Sequence, residues 1–144
     1  MDIVTHAVVG AVTGQAFGYP ITGAIIGILP DFPIAISVIR RYETPPWSYD
    51  FTHSLLYLLL MSGALWLLTG MFLFPALCLA SHLFLDLCTH SDEWSPPLLF
   101  PVPRTVVNFS VYHKEWEFFN KSWWIGLAHA VIWCLVVSSM GVQR

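Results

Sequence analysis

Apolar residues run through this chain in four long stretches, at about 3–29, 53–70, 72–90 and 122–140, separated by short polar connections. The last three are each long enough for a short membrane helix, near the lower end of the roughly 17–25 residues a span needs. Composition supports the same reading. Hydrophobic residues make up 56% of the 144 positions and charged residues only 10%, against roughly 25% charged in an ordinary soluble domain. A chain this small has too much surface to cover with so few charges. A cytosolic globule and a disordered chain are therefore excluded. So is nucleic acid as a partner, which calls for a basic stripe, because six Lys and Arg face nine Asp and Glu. The expectation is one all-α integral membrane domain over 1–144, with the lipid bilayer as its first partner.

The break at Thr69-Gly70 is tight and uncharged, so 53–70 and 72–90 should form an antiparallel helical hairpin. The first stretch is rich in small residues, among them Gly10, Gly14, Gly23 and Gly27, and small residues let helix backbones approach closely in lipid. Gly18-Tyr19-Pro20 is a breaker cluster at its middle. The fold expected is a short N-terminal helical hairpin plus three transmembrane helices, with a Pro-rich interfacial loop at Pro96, Pro97, Pro101 and Pro103. Within the other connection, Ile34 to Arg41 reads as a short interfacial helix, and Thr105 to Tyr112 reads as a short strand. Trp47, Trp94, Trp116, Trp123 and Trp124 flank the apolar stretches, as an aromatic belt would. Cys78, Cys88 and Cys134 form no CxxC pair and read as packing residues.

Ionisable groups in membrane segments are costly, so each is a functional candidate. Here they gather at segment ends: His6, Asp31, His53, and then His82, Asp86 and His90. Histidine and aspartate are common nitrogen and oxygen ligands of zinc and related divalent metals. His82 and Asp86 are four apart and share a helix face. The helical hairpin returns them to the membrane face where His53 starts, and Asp31 lies one connection away. His6 is the test. On one straight helix it would stand about 37 Å from Asp31, whereas a fold-back at Gly18-Tyr19-Pro20 brings both to one face. Taken singly, Asp31 is an ordinary helix cap, His53 an interfacial residue and His6 an N-terminal one. Their convergence is what points to a metal. Haem would want histidines facing each other at mid-membrane without carboxylates. His113 and His129 join no cluster.

Thr5-His6 with Gly10, then Leu29-Pro30-Asp31, Thr52-His53-Ser54 and His82-Leu83-Phe84-Leu85-Asp86 with Thr89, together resemble the membrane-bound metal-dependent hydrolases described as LexA-regulated. The resemblance runs from residue 5 to about 103, through Leu98-Leu99-Phe100-Pro101. It implies a multi-pass bacterial inner-membrane protein whose motifs are similar to those of zinc-dependent phospholipase C. Two departures stand out. Many members carry an acidic residue two positions after the Leu-Pro-Asp aspartate, where this chain has Pro33. Many also carry basic residues before Thr-His-Ser, where this chain has Tyr49-Asp50-Phe51. The first departure removes a carboxylate that a second metal would use, and Asp50, three residues before His53, is the residue that could replace it.

The resulting expectation is metal-dependent hydrolysis of a phosphoester or other amphipathic, lipid-like substrate. His6, Asp31, His53, His82 and Asp86 would hold a divalent metal, zinc first, with His90 as a further ligand. Asp50 or Glu93 would accept the proton from water. Thr5, Thr52 and Thr89 would orient ligands. The alternative is a non-catalytic metal-binding membrane protein with a structural, sensing or transport role. Arg40, Arg41, Arg104, Lys114 and Lys121 lie in the connections on the site's face, and Arg144 lies opposite. The excess of basic residues puts the site toward the cytoplasm.

Overall fold

The structure is a computed structural model that describes residues 3–41, 43–90 and 94–102 and positions 131, 132 and 135. Everything described is helix, turn or loop. The first helix, α1 (Ile3–Ala16), stops where Gly18 takes the left-handed conformation at φ 83°. Only glycine does so without a Cβ penalty. The Gly18 N–H bonds to the Gln15 carbonyl (3.1 Å) and the Tyr19 N–H to that of Gly14 (2.8 Å), so the exposed carbonyls of the last turn are satisfied. Pro20 then opens α2 (Pro20–Ile28), where its missing N–H costs nothing. The expected fold-back is present, and α2 lies directly against α1.

Glycine makes that approach possible. A Cβ on Gly10 would sit 2.3 Å from the Gly23 carbonyl oxygen, and one on Gly23 would sit 2.2 Å from that of Gly10. The two helices therefore pack backbone on backbone.

A single 3₁₀ turn, Leu29–Asp31, joins α2 to α3 (Phe32–Arg40). The run Pro20–Arg40 forms one helix of 21 residues. This corrects the expected separate interfacial helix at 34–41: Pro30 and Pro33 sit where their missing N–H groups fall in a tightened turn and a helix start, so the axis continues through both. A short helix not anticipated from the sequence, α4 (Pro46–Thr52), leads into α5 (Leu55–Thr69) through a bend of 63°. The Ser54 side chain caps α5 by accepting from the Tyr57 N–H at 3.1 Å. At its far end Gly70, at φ 71°, closes the helix. The return helix is α6 (Leu73–Thr89). The start of α5 meets the end of α6, so the pair is antiparallel, as the tight break predicts.

Ile26, Tyr57, Phe74, Cys78 and Leu79 form the buried apolar centre, where α2, α5 and α6 meet. Outward-facing positions stay apolar too, including Ile21, Ile39, Leu59, Leu67 and Leu68, an arrangement suited to lipid rather than water. Among the described residues, Pro20–Arg40 is the helix long and apolar enough to cross a bilayer, and α4 with α5 would make a second if the bent pair is one span. Ile3–Ala16 and Leu73–Thr89 are apolar but shorter. The three-span expectation is thus met only in its all-helical, membrane-type character. The strand expected at 105–112, the belt residues Trp116, Trp123 and Trp124, most of the 122–140 stretch, Cys134, His113, His129 and Glu93 lie outside the described residues.

Candidate metal centre

Each candidate ligand is placed by a local feature. The α1–α2 fold-back returns His6 to the level of Asp31. Asp31 stands at the start of α3 and makes no capping bond with its side chain, so the carboxylate turns inward instead. His53 sits in the bend between α4 and α5, and His82, Asp86 and His90 follow one another at the end of α6. All six are buried. His6, His53 and His82 are each 1% exposed and Asp86 is 0% exposed.

Their reactive atoms converge. Asp86 Oδ1 lies 3.1 Å from His6 Nε2 and 3.0 Å from His90 Nε2. Its Oδ2 lies 3.1 Å from His82 Nε2 and 3.5 Å from His53 Nε2. Asp31 Oδ1 lies 3.3 Å from His53 Nε2 and 3.7 Å from His82 Nε2, and its Oδ2 lies 4.0 Å from His6 Nε2. The six residues predicted from the sequence are therefore brought together. Asp50, expected as a proton acceptor rather than a ligand, lies half-buried on α4 and takes no part in these ion pairs.

The histidine tautomers follow from the outer hydrogen bonds. His82 Nδ1 lies 2.7 Å from the Gly27 carbonyl oxygen, and His53 Nδ1 lies 3.1 Å from that of Tyr49. A carbonyl oxygen only accepts, so both Nδ1 atoms donate. In the neutral rings, both Nε2 lone pairs then point into the site, 3.3 Å apart. Two lone pairs repel at that distance, and two buried carboxylates add further negative charge. Protonating both nitrogens would instead set two positive charges face to face, while a single proton on His82 Nε2 would donate to Asp86 Oδ2 at 3.1 Å or to His53 Nε2 at 3.3 Å. A cation among them would engage both nitrogens and the carboxylate oxygens that face them. Metal-binding histidines commonly use this outer N–H to a carbonyl to fix ring and tautomer.

The spacing fits as well. His53 Nε2 and His82 Nε2 stand 3.1 to 3.7 Å from each other and from their Asp31 and Asp86 oxygens. A tetrahedron with metal–ligand bonds of about 2.0–2.1 Å has edges of about 3.3–3.4 Å. Asp31 Oδ2 and His6 Nδ1 are buried without a hydrogen-bond partner among the described residues. The groups His6–His82–Asp86 and Asp31–His53–His82 could each hold a metal ion.

Two supporting residues escaped the sequence reading. Gly27 gives its carbonyl to His82 and has no room for a side chain, since a Cβ there would sit 2.7 Å from the His6 carbonyl oxygen. Tyr49 gives its carbonyl to His53, stacks its ring on that imidazole at 4.0 Å, and donates its hydroxyl to the Trp94 carbonyl. Its position one helical turn before His53 was the available signal. Of the three threonines, Thr52 meets His53 Nδ1 at 3.0 Å as expected. Thr89 does not orient a ligand by its hydroxyl, which donates to the Leu85 carbonyl of its own helix at 2.8 Å.

Fold and site define a small helical membrane protein with a buried His/Asp centre that could hold a metal ion. The family model of the YdjM inner membrane protein matches residues 1–143, and the chain belongs to that family. No curated protein and no solved structure matches the chain.

Proposed function

We propose that the chain is a membrane-bound metal-dependent hydrolase acting on a phosphoester or lipid-like substrate. The observation that carries the metal is the face-to-face pair of Nε2 atoms on His53 and His82, whose Nδ1 atoms are already committed to carbonyls. His6, Asp31, His53, His82 and Asp86, with His90, would hold a divalent ion, zinc first. When bound, such an ion supplies Lewis acidity and makes water a nucleophile near neutral pH. The residues' own work is positional. Gly27 and Tyr49 fix the two imidazoles, Thr52 steadies His53, and the buried aspartates draw a cation out of water. Asp50 or Glu93 is the proposed proton acceptor.

The hydrolytic assignment rests on the motif resemblance. A second reading, a non-catalytic metal-binding membrane protein, draws on a specific observation. His53, His82, Asp31 and Asp86 are by themselves enough for a closed four-ligand cage, which is the pattern of structural zinc. Two measurements on detergent-purified protein separate these readings. Near-stoichiometric zinc that is lost in the double variant His82→Ala, Asp86→Ala supports the metal, and equal trace metal in both proteins overturns it. Metal-dependent release of nitrophenol from a nitrophenyl phosphodiester in mixed micelles supports hydrolysis. Loaded protein that releases none over a panel of mono- and diesters leaves the non-catalytic reading.

In the membrane, the proposal is a multi-pass inner-membrane protein with three spans, its site toward the cytoplasm and its C-terminus outside. A C-terminal reporter active only in the cytoplasm should be silent. Full activity means that the orientation or the number of spans is wrong.

A further inference from the structure

We propose that His6 does not bind the ion but positions Asp86, donating from Nε2 to Oδ1 so that Oδ2 faces the metal. This rests on the metal reading above and narrows its ligand set, in which the motif resemblance includes His6.

The tautomer of His6 is opposite to that of its two neighbours. His53 and His82 commit Nδ1 to the Tyr49 and Gly27 carbonyls, which leaves their Nε2 lone pairs for an ion. His6 Nδ1 is buried and has no hydrogen-bond partner among the described residues, while its Nε2 lies 3.1 Å from Asp86 Oδ1. A neutral imidazole carries one proton. On Nδ1 that proton would be a buried N–H without an acceptor, which is costly. On Nε2 it meets a carboxylate oxygen, which only accepts. Nε2 therefore donates and keeps no lone pair for a metal. Oδ1 also faces His90 Nε2 at 3.0 Å, and a carboxylate oxygen with two lone pairs has room for both contacts.

Ring orientation points the same way. His6, His82 and Asp86 stand close enough to surround an ion, but an imidazole binds along its lone pair, in the plane of the ring. The His6 and His82 rings are stacked, with centroids 3.7 Å apart and planes 21° from parallel. An ion about 2.0–2.1 Å from His82 Nε2 in the His82 plane stands well off the plane of His6. His53 has no such conflict, because its ring is tilted 57° to that of His82. Asp86 Oδ2 faces His82 and His53 at 3.1 and 3.5 Å. A carboxylate turns about its Cβ–Cγ bond, and the His6 N–H on Oδ1 favours the rotation that shows Oδ2 to those two rings. Hydrogen bonds of this kind to a ligating carboxylate hold it in register for the metal.

The test uses the full chain purified in detergent, stripped with chelator and titrated with Co²⁺, whose visible d–d bands report its ligand geometry. His6→Gln keeps an N–H donor in place of Nε2 and has no imidazole. It should bind cobalt with the wild-type stoichiometry and band shape, whereas His82→Gln should lose that band shape. His6→Leu cannot donate and should bind cobalt about 10–100-fold more weakly than wild type. Bands altered in His6→Gln as they are in His82→Gln make His6 a ligand and overturn the proposal. An affinity of His6→Leu equal to that of wild type overturns the positioning role. Wild type that takes up neither cobalt nor zinc overturns the metal reading itself. Histidine-ring nitrogen NMR on zinc-loaded wild type decides the point even where the variants fail to fold. It should show His6 protonated on Nε2, with His53 and His82 protonated on Nδ1. A metal-bound Nε2 on His6 overturns the proposal.

Discussion

The α1–α2 hairpin packs backbone against backbone, whereas the α5–α6 hairpin packs side chain against side chain. In the first, Gly10, Gly14, Gly23 and Gly27 line the contact, and a Cβ on any of them would come within 3.0 Å of backbone in the opposing helix or in the turn. In the second, Tyr57, Phe74 and Leu79 fill the space, and the two glycines of α5 and its cap, Gly63 and Gly70, would meet nothing. The difference matches what each hairpin must do. The first holds His6 and Asp31 at one level and brings the Gly27 carbonyl to His82, so small errors in separation move three partners of the site together. The second delivers His53, His82 and Asp86 from helix ends, where side-chain packing tolerates more change. Close approach in lipid draws on van der Waals contact rather than hydrophobic burial, so it fails steeply once the backbones part.

Four substitutions put that contrast at risk, in falling order of effect. Gly23→Ala places a methyl 2.2 Å from the Gly10 carbonyl oxygen. It should cost at least about 3 kcal/mol, the upper end for overpacking, and lower metal content as His6 leaves Asp31. A thermal unfolding midpoint in detergent, with metal analysis on the same sample, would show both. An unchanged midpoint would mean that the helices do not touch there. Leu79→Ala, in the side-chain-packed region, should cost about 2 kcal/mol, the low end for a large-to-small core change because lipid offers little hydrophobic gain. Its metal content should stay at the wild-type level, and a loss equal to that of Gly23→Ala would erase the distinction between the hairpins. Gly70→Ala strains the left-handed cap of α5 and should cost roughly 1 kcal/mol, read from the same melting curve. Gly63→Ala should change sign. It lies in mid-helix with open space around it, so replacing glycine by alanine should stabilise by about 0.5–1 kcal/mol. Destabilisation there would place an unseen neighbour against α5.

The breaks and the candidate ligands were legible in the sequence because their causes are local. Gly18 before Pro20 ends one helix and starts the next by backbone geometry alone. His82 and Asp86 share a face by helical spacing, and an apolar setting marks His6, Asp31 and His53 as exceptional. Those signals were enough to group six residues on one face, and the structure brings the same six together. Other features depend on packing between parts of the chain that local rules do not connect. The axis passes through Pro30 into α3, where local chemistry reads equally well as a break. Of the two expected proton acceptors, Glu93 falls outside the described residues and Asp50 lies half-buried on α4 without joining the cluster's ion pairs.

What the sequence by itself determined was a helical membrane-type chain, the places where it turns, and the residues able to bind a metal. These follow from hydropathy, helix-breaking chemistry and ligand type, each of which acts within a few residues. Only the tertiary structure decided that His82 receives the Gly27 carbonyl across 55 positions, that His6 meets Asp86 across 80, and that Asp86 shows a different oxygen to each histidine pair. The physical reason is distance along the chain. Which carbonyl reaches which imidazole, and which way a carboxylate is turned, is set by how closely glycine lets the α1–α2 backbones approach and by where α6 then comes to rest. No residue type encodes either outcome on its own.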